Sequence, residues 1–486
     1  MRERLLGWVA NFLLAALVIL AFGLNAQLWR LPASGENPRP TYTAPGAVSN
    51  LRPGEVLRPV RLLLRGDAGW LRLPDPGSPA SETLWRASAR LAATVGEAEL
   101  QRAPERMPEA LLGHTPGAAV EILLPAPLPW GSWRALWKSE EAGAAPPASL
   151  PSGGPSVDRL LLSASGSAGG GAEGPSLQLA AGDASGWRSV ALPSGEAAVA
   201  WAAAFKAALA EAAPLEPARL PAGLSAQPDF LGTAVVTGGS GPEGAGGPAA
   251  GPPAPRLGEV QPDPEALGRA VFGDMALVRR VELVGGEVLF TDGQSTLRFP
   301  RGGGFVLERP SSAGGPDRGL GQAILAAVQE VDRLGGWPAG SVLLAARPLP
   351  QGGGWQLAFA SRFHGLPLLA PAEEARLARR DLEFQTLPPA AAIDVEVSPS
   401  GAVVRVAWHV EQVEGTGPRP RWLPLDEALA AARAAGAVPA GASLADATPA
   451  WQGAGSVPGA PASPVWLVTL SDGRLLRLPA AAGAGG

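Results

Sequence analysis

Histidines, carboxylates and hydroxyls with a base nearby are the side chains that could do chemistry in this chain, and their spacing argues against most reactions. His114, His364 and His409 are far apart, no H-E-x-x-H frame occurs and there is no Cys, so neither a histidine-based nor a thiolate metal site is expected. Both lysines, Lys138 and Lys206, follow an aromatic residue rather than Gly, which excludes a phosphate-binding P-loop. No Ser lies in a G-x-S-x-G frame, and several that stand near Gly fall in low-complexity stretches that cannot hold a preorganised nucleophile. His364, in RFHGLP, reads as a turn residue at the end of a strand. The carboxylates Glu373-Glu374 and Asp381 with Glu383 are the residual enzymatic candidates, because glycoside hydrolysis needs two carboxyls at a suitable separation. Nothing in the spacing sets that separation. No catalytic residue, metal or cofactor is therefore expected.

The elements that would have to position such groups are clearest in VFGDMALVRRVELVGGEVLFTDGQSTLRF, Val271 to Phe299. It begins as a helix end and continues as alternating runs around Asp292-Gly293. Asp-Gly between two such runs predicts a tight hairpin, a type I′ turn with positive φ at both central residues. Asp292 is thus expected to shape a turn, not to bind a ligand. Helices are predicted over 83–95, 197–213, 264–275, 319–334 and 426–435. Strands are predicted at 60–64, 121–124, 158–162, 279–284, 287–291, 295–299, 341–346, 355–363, 392–397 and 403–413, with a closing hairpin over 465–478. Helices segregated from antiparallel hairpins make an α+β fold.

Composition narrows the partners. The 486 residues carry a net charge of −5, so no basic surface is available for nucleic acid. The 64 Gly and 52 Pro concentrate in AGAAPPASLPSGGPS, ASGSAGGGAEGP and GGSGPEGAGGPAAGPPAP, which start at Ala142, Ala164 and Gly238 and are expected to be flexible insertions or linkers. Near the start, GWVANFLLAALVILAFGLNAQL, Gly7 to Leu28, has no charge between Arg4 and Arg30. Trp8 and Trp29 would lie ~31 Å apart on a helix, close to the hydrocarbon thickness of a bilayer. An uncleaved single-pass anchor is expected in preference to a signal peptide cut near Ala21-Phe22-Gly23, with the N-terminus cytoplasmic and the bulk of the chain extracytoplasmic. Asn11, Val18 and Asn25 fall on one stripe of that helix with Ala15 and Ala21 beside it, so these five are the candidate contacts to a partner helix in the membrane.

Phe272-Gly273-Asp274, then Leu277-Val278-Arg279, then Phe290-Thr291-Asp292-Gly293, in that order, resemble the central part of the YycH (WalH) family of accessory regulators of a sensor histidine kinase. WQLAFASRFHGLP, Trp355 to Pro367, followed by IDVEVSPSGAVVRVAW, is similar to that family's C-terminal module and to its sister regulator YycI. The resemblance marks Phe272, Asp274, Val278, Arg279, Asp292, Gly293, Gly365 and Pro367 as structural motif residues. It covers the anchor and roughly 262–479, while 60–234 agrees only in element order. It implies a non-enzymatic membrane protein of the WalK/WalR (YycG/YycF) two-component system, which controls cell-wall metabolism. The partners it implies are the sensor histidine kinase, a YycI-like regulator and the membrane, with no small-molecule substrate. The organisation it suggests is a cytoplasmic tail (1–6), the transmembrane anchor (7–29), a Pro-rich stalk (30–59) and an N-terminal extracytoplasmic domain with Gly/Pro-rich insertions (60–236). A linker (237–256), a central domain (257–346), a C-terminal domain (347–480) and a disordered tail (481–486) follow. The rival readings are a wall- or lipid-binding module using a groove lined by Trp130, Trp133 and Trp137, and a carboxylate-based wall hydrolase.

Overall fold

A computed structural model describes Ala44, Ala47 and residues 51–480, apart from 67–68, 74–77, 106–117, 144–146, 148, 166–175, 184–185, 215–224, 227–252, 301–302, 311–315, 350–352, 371–390, 421, 440, 454–459 and 471–474. The expected anchor, with Asn11, Ala15, Val18, Ala21 and Asn25, lies outside the described residues, as do His114, Glu373, Glu374, Asp381 and Glu383. Among the described residues no helix is long and apolar enough to cross a membrane.

The first half of the chain builds a seven-stranded antiparallel sheet from β1 (Arg61–Gly66), β2 (Gly69–Arg72), β3 (Ala119–Pro129), β4 (Ser156–Ser165), β5 (Ser176–Asp183), β6 (Gly186–Leu192) and β7 (Ala213–Pro214), in the order β6-β5-β4-β3-β1-β2-β7. Its helices are α1 (Pro53–Val56), α2 (Pro79–Ala92), α3 (Glu97–Arg102), α4 (Trp130–Glu141) and α5 (Glu196–Glu211). Helix α2 starts where it does because Ser78 accepts from Ser81 N at 3.2 Å and Pro79 occupies the first turn. It lays Leu84, Trp85, Ser88, Ala89 and Leu91 against the core, and Trp201 of α5 donates its indole N–H to Ser88 Oγ at 3.2 Å. Helix α4 was not expected, although Trp130, Trp133 and Trp137 stand at helical spacing; it follows β3 with no intervening turn residue. All three indoles are buried, Trp130 stacking on Trp133 and Trp137 meeting Trp85 edge-on, so they line no groove.

The second half contributes a thirteen-stranded sheet. Its strands are β8 (Ser225–Ala226), β10 (Arg279–Glu282), β11 (Val288–Thr291), β12 (Thr296–Phe299), β13 (Phe305–Glu308), β14 (Val342–Pro348), β15 (Trp355–Phe363), β16 (Leu366–Leu369), β17 (Ile393–Val397), β18 (Val403–Trp408), β20 (Ser443–Gln452), β21 (Ser463–Leu470) and β22 (Leu475–Pro479). The path runs β10-β11-β12-β13-β18-β17-β15-β16-β20-β21-β22, with β14 on β15 and β8 on β20; β16 and β8 each pair with β20 in parallel. A separate pair joins β9 (Pro255–Glu259) to β19 (Glu411–Thr416). The helices here are α6 (Pro264–Phe272), α7 (Gly319–Leu334) and α8 (Leu425–Ala434).

Helix α7 is amphipathic, with a wide apolar face turned inward and Gln322, Gln329, Glu330, Asp332 and Arg333 on the other side. Leu320, Ile324, Leu325, Val328 and Val331 are buried in a core that runs without a break from Ala44 to Val410 and draws on both sheets. A second core forms around α8, where Trp422 meets Trp451 and Trp466 edge-on.

Four expectations change. Part of the stretch read as a stalk is packed: Val56 and Leu57 are buried, and Ala44 N donates to Gly335 O at 2.9 Å. Within the first low-complexity stretch Leu150 is buried, and the end of the third, Ala254-Pro255, is core and strand. Strand 403–413 is two strands, β18 and β19, in different sheets. Lastly, the turn at Asp292 is not type I′. The closing pair is Thr291↔Thr296, the loop has four residues, and only Gly293 takes positive φ, 87°. Asp292 Oδ1 accepts from Gln294 N at 2.9 Å and Ser295 N at 2.7 Å, an Asx-type turn that competes successfully with the tighter one. The two-residue turn with positive φ at both positions is found instead at His364 (49°) and Gly365 (73°), between the paired Phe363 and Leu366.

Candidate functional site

The motif residues of the 272–299 segment gather at one end of the long sheet. Asp263 caps α6 by accepting from Glu265 N at 2.9 Å and Ala266 N at 3.2 Å, with Pro264 next. Gly273, at φ 75°, ends the helix, and Asp274 then caps a 3-10 turn, Met275–Leu277, by accepting from Ala276 N at 2.8 Å. Phe272 and Val278 are half-buried, Val278 in extended backbone that leads straight into β10 with Arg279. Gly365 and Pro367 stand elsewhere, in the β15–β16 hairpin. The motif thus falls at three places: the helix end and 3-10 turn before β10, the β11–β12 loop at Asp292-Gly293, and the β15–β16 hairpin.

Helix α6 is held down from its buried side. Arg333 on α7 donates to Ala270 O at 2.5 Å and pairs with Glu330 at 2.6 Å, and Arg309 reaches the same carboxylate at 2.7 Å. Burial alone would raise the Glu330 pKa. The hydrogen bonds from Arg333 and the charge of Arg309 outweigh it and hold the carboxyl below its ordinary value. Gly268 lets Met275 and Phe290 approach the helix closely, and Phe290 packs edge-on against Phe299.

The opposite side of this platform is open. Strand β10 is the last strand of the sheet, and all four of its residues are exposed. Four apolar side chains on and beside it face solvent: Leu277 at 80%, Val281 at 41%, Leu283 at 37% and Val284 at 106% of their full exposure. An uncovered edge with an apolar stripe is a place for another chain to pair. Arg280 pairs with Glu265 and Glu282, each at 3.2 Å, and all three side chains are largely solvated.

Elsewhere the groups with catalytic potential are spent on structure. His364 makes its turn and meets Phe363 edge-on. His409, just after β18, has both ring nitrogens shut away from solvent, with the Gly303 backbone as a hydrogen-bonding neighbour. Burial first, then the charge of Arg405, lowers its pKa to about 4 against the pull of the Gly303 backbone, so it is neutral at physiological pH. Asp158 on β4 is pushed up to about 6 by burial and, in smaller part, by Asp183, against the pull of Arg159. Among the described residues no three His, Cys, Asp or Glu side chains cluster as a metal site. The exposed apolar edge was missed in the sequence because VRRVELV alternates as an inner strand would, and alternation does not say which strand ends a sheet.

No family model matches the chain, and no curated protein matches it. Among solved structures, YycH from Bacillus subtilis superposes with a TM-score of 0.54 at 12% identity, covering 90% of this chain and 99% of that one. A protein from Eubacterium rectale covers 48% of this chain and 85% of its own at 9% identity, with a TM-score of 0.31, too low to bear on the fold. Over nearly its whole length, this chain has the fold of YycH.

Proposed function

We propose that the protein is a non-enzymatic, membrane-anchored regulator that adjusts the activity of a sensor histidine kinase through its anchor helix and its extracytoplasmic surfaces. The observation that carries this reading is the fold shared with YycH across 90% of the chain. It agrees with the apolar run at Gly7 to Leu28 and with the open β10 edge. A YycI-like sister regulator belongs to the same reading. Physically, a partner that packs differently against two kinase states shifts their populations by the difference in binding free energy, and about 1.4 kcal/mol is a tenfold change.

The test is co-reconstitution of the full chain with the cognate kinase in vesicles, reading autophosphorylation rate and co-purification. A several-fold change in rate is expected, and replacing Asn11 and Asn25 with Leu should lower recovery of the kinase. An unchanged rate together with no recovery would sink the proposal.

A further inference from the structure

We infer that β10 is a self-pairing edge, through which two copies of this chain join antiparallel about a two-fold axis at Val281. The ladder geometry sets the possibilities. Leu283 N donates to Glu287 O at 2.8 Å, and the β10–β11 register runs Val281↔Leu289 and Arg279↔Thr291. Hydrogen-bonded pairs alternate along an antiparallel ladder, so Leu283, Val281 and Arg279 spend their backbone groups on β11. Those of Arg280 and Glu282 point away from the sheet. A second strand must bond to these two.

In an isologous pairing, outward residues meet outward residues, so the axis passes through a residue and not between two. Three registers keep the four-residue strand overlapped. An axis at Arg280 sets guanidinium against guanidinium. An axis at Glu282 sets carboxylate against carboxylate. An axis at Val281 places each Arg280 opposite Glu282 of the other copy, twice, and both members of each pair are outward-bonding residues. Only this register is complementary in charge, and like charges directly opposite on paired strands destabilise.

It also uses the apolar stripe. Val281 faces Val281 of the second copy, Leu283 faces the stem of Arg279, and Val284 faces Val278, while Leu277 comes beside the hairpin tip at Val284 and Gly285. The two most exposed apolar side chains of this edge, Leu277 and Val284, are the ones brought to the ends of the added ladder. Strand addition of this kind draws affinity from main-chain bonds and register from the side chains.

The chain has no Cys, so a single introduced thiol reports on the axis without interference. Residues facing each other in a non-hydrogen-bonded pair have Cα atoms about 4.5 Å apart, within disulfide range. In the full chain, Val281→Cys should form a disulfide-linked dimer under mild oxidation at least tenfold faster than Val199→Cys on α5, although Val199 is the more exposed of the two, at 71% against 41%. Adding Arg280→Glu or Glu282→Arg to Val281→Cys should suppress that dimer, and combining the two should restore it. Crosslinking no faster than at Val199, failure of the combined charge swap to restore it, or capture of a different protein with no self-adduct would each overturn the inference.

Discussion

At the β6 margin of the seven-stranded sheet, Glu105 bridges Arg188, whose guanidinium also donates to Gln101 O at 2.8 Å and Ala103 O at 3.3 Å just beyond α3, so that edge is covered. At the β10 margin of the thirteen-stranded sheet no described element covers the strand, and its apolar side chains stand in water. Charge separates the sheet interiors from the β10 edge, since the second sheet also holds a largely buried pair, Arg405 with Glu396 at side-chain exposures of 12% and 19%. Arg61 and Glu121, on neighbouring strands β1 and β3, are shut inside with side-chain exposures of 7% and 3%, whereas Arg280 and its two carboxylate partners are about half exposed or more. Inside, polar side chains close the sheets. The β10 edge leaves them where a second chain can meet them.

The largest effect that tests this contrast is at the buried pair. Glu121→Ala removes the carboxylate beside the buried Arg61 guanidinium and should cost about 3–5 kcal/mol, read as a shift of the urea midpoint of tryptophan fluorescence. Replacing both partners, Arg61→Met with Glu121→Leu, should recover most of that loss, because matched apolar residues avoid the desolvation of two ions. If the double variant is no better than the single one, the pair closes the sheet by specific geometry rather than by mutual neutralisation.

A smaller pair of effects comes from pH, with Asp158 on β4 and His409 just after β18 acting with opposite signs. His409, at about 4 when folded and 6.5 when free, binds fewer protons in the folded state, so its contribution is complete above 6.5 and is lost as pH falls towards 4. Asp158, at about 6 when folded and 3.8 when free, binds more, so its contribution is present below 3.8 and is lost as pH rises through 6. Each is worth on the order of 3 kcal/mol at full extent, and between pH 4 and 6 they partly cancel. Asp158→Asn should expose a steep rise in stability with pH over that window, and His409→Gln a fall. Identical pH profiles for the two variants would refute the assignment.

The smallest expected effect belongs to the open edge. Arg280→Ala should change stability by less than about 0.5 kcal/mol, because solvated ion pairs contribute little. A loss of several times that size, measured in the same urea titration, would mean the β10 margin is closed as firmly as β6.

Much of the fold was legible from pattern. The spans of α7 and β15 agree residue for residue with the apolar periodicity, since a strong 3.6 or 2.0 repeat reflects burial directly. The hairpin at Asp292 was expected but its turn type was not: the carboxylate found two backbone donors, and the type I′ geometry went to His364-Gly365 instead. Helix α4 escaped because three Trp at helical spacing serve equally as strand core. Of the motif residues, Asp274 caps a 3-10 turn, Asp292 and Gly293 shape a hairpin loop and Gly365 sits in a two-residue turn, while Phe272, Arg279 and Pro367 lie within helix or strand. The edge beside them was invisible.

By itself the sequence determined the alternating hairpins, the capped helices, the absence of thiol chemistry and the one long apolar run, because each depends on neighbours within a few residues. Which strand would end the sheet, that Leu150 and Ala254 would be buried, and that α7 would bridge two sheets were decided only by tertiary structure. Those outcomes depend on pairings between residues up to hundreds of positions apart, and local periodicity is the same whether or not the partner arrives.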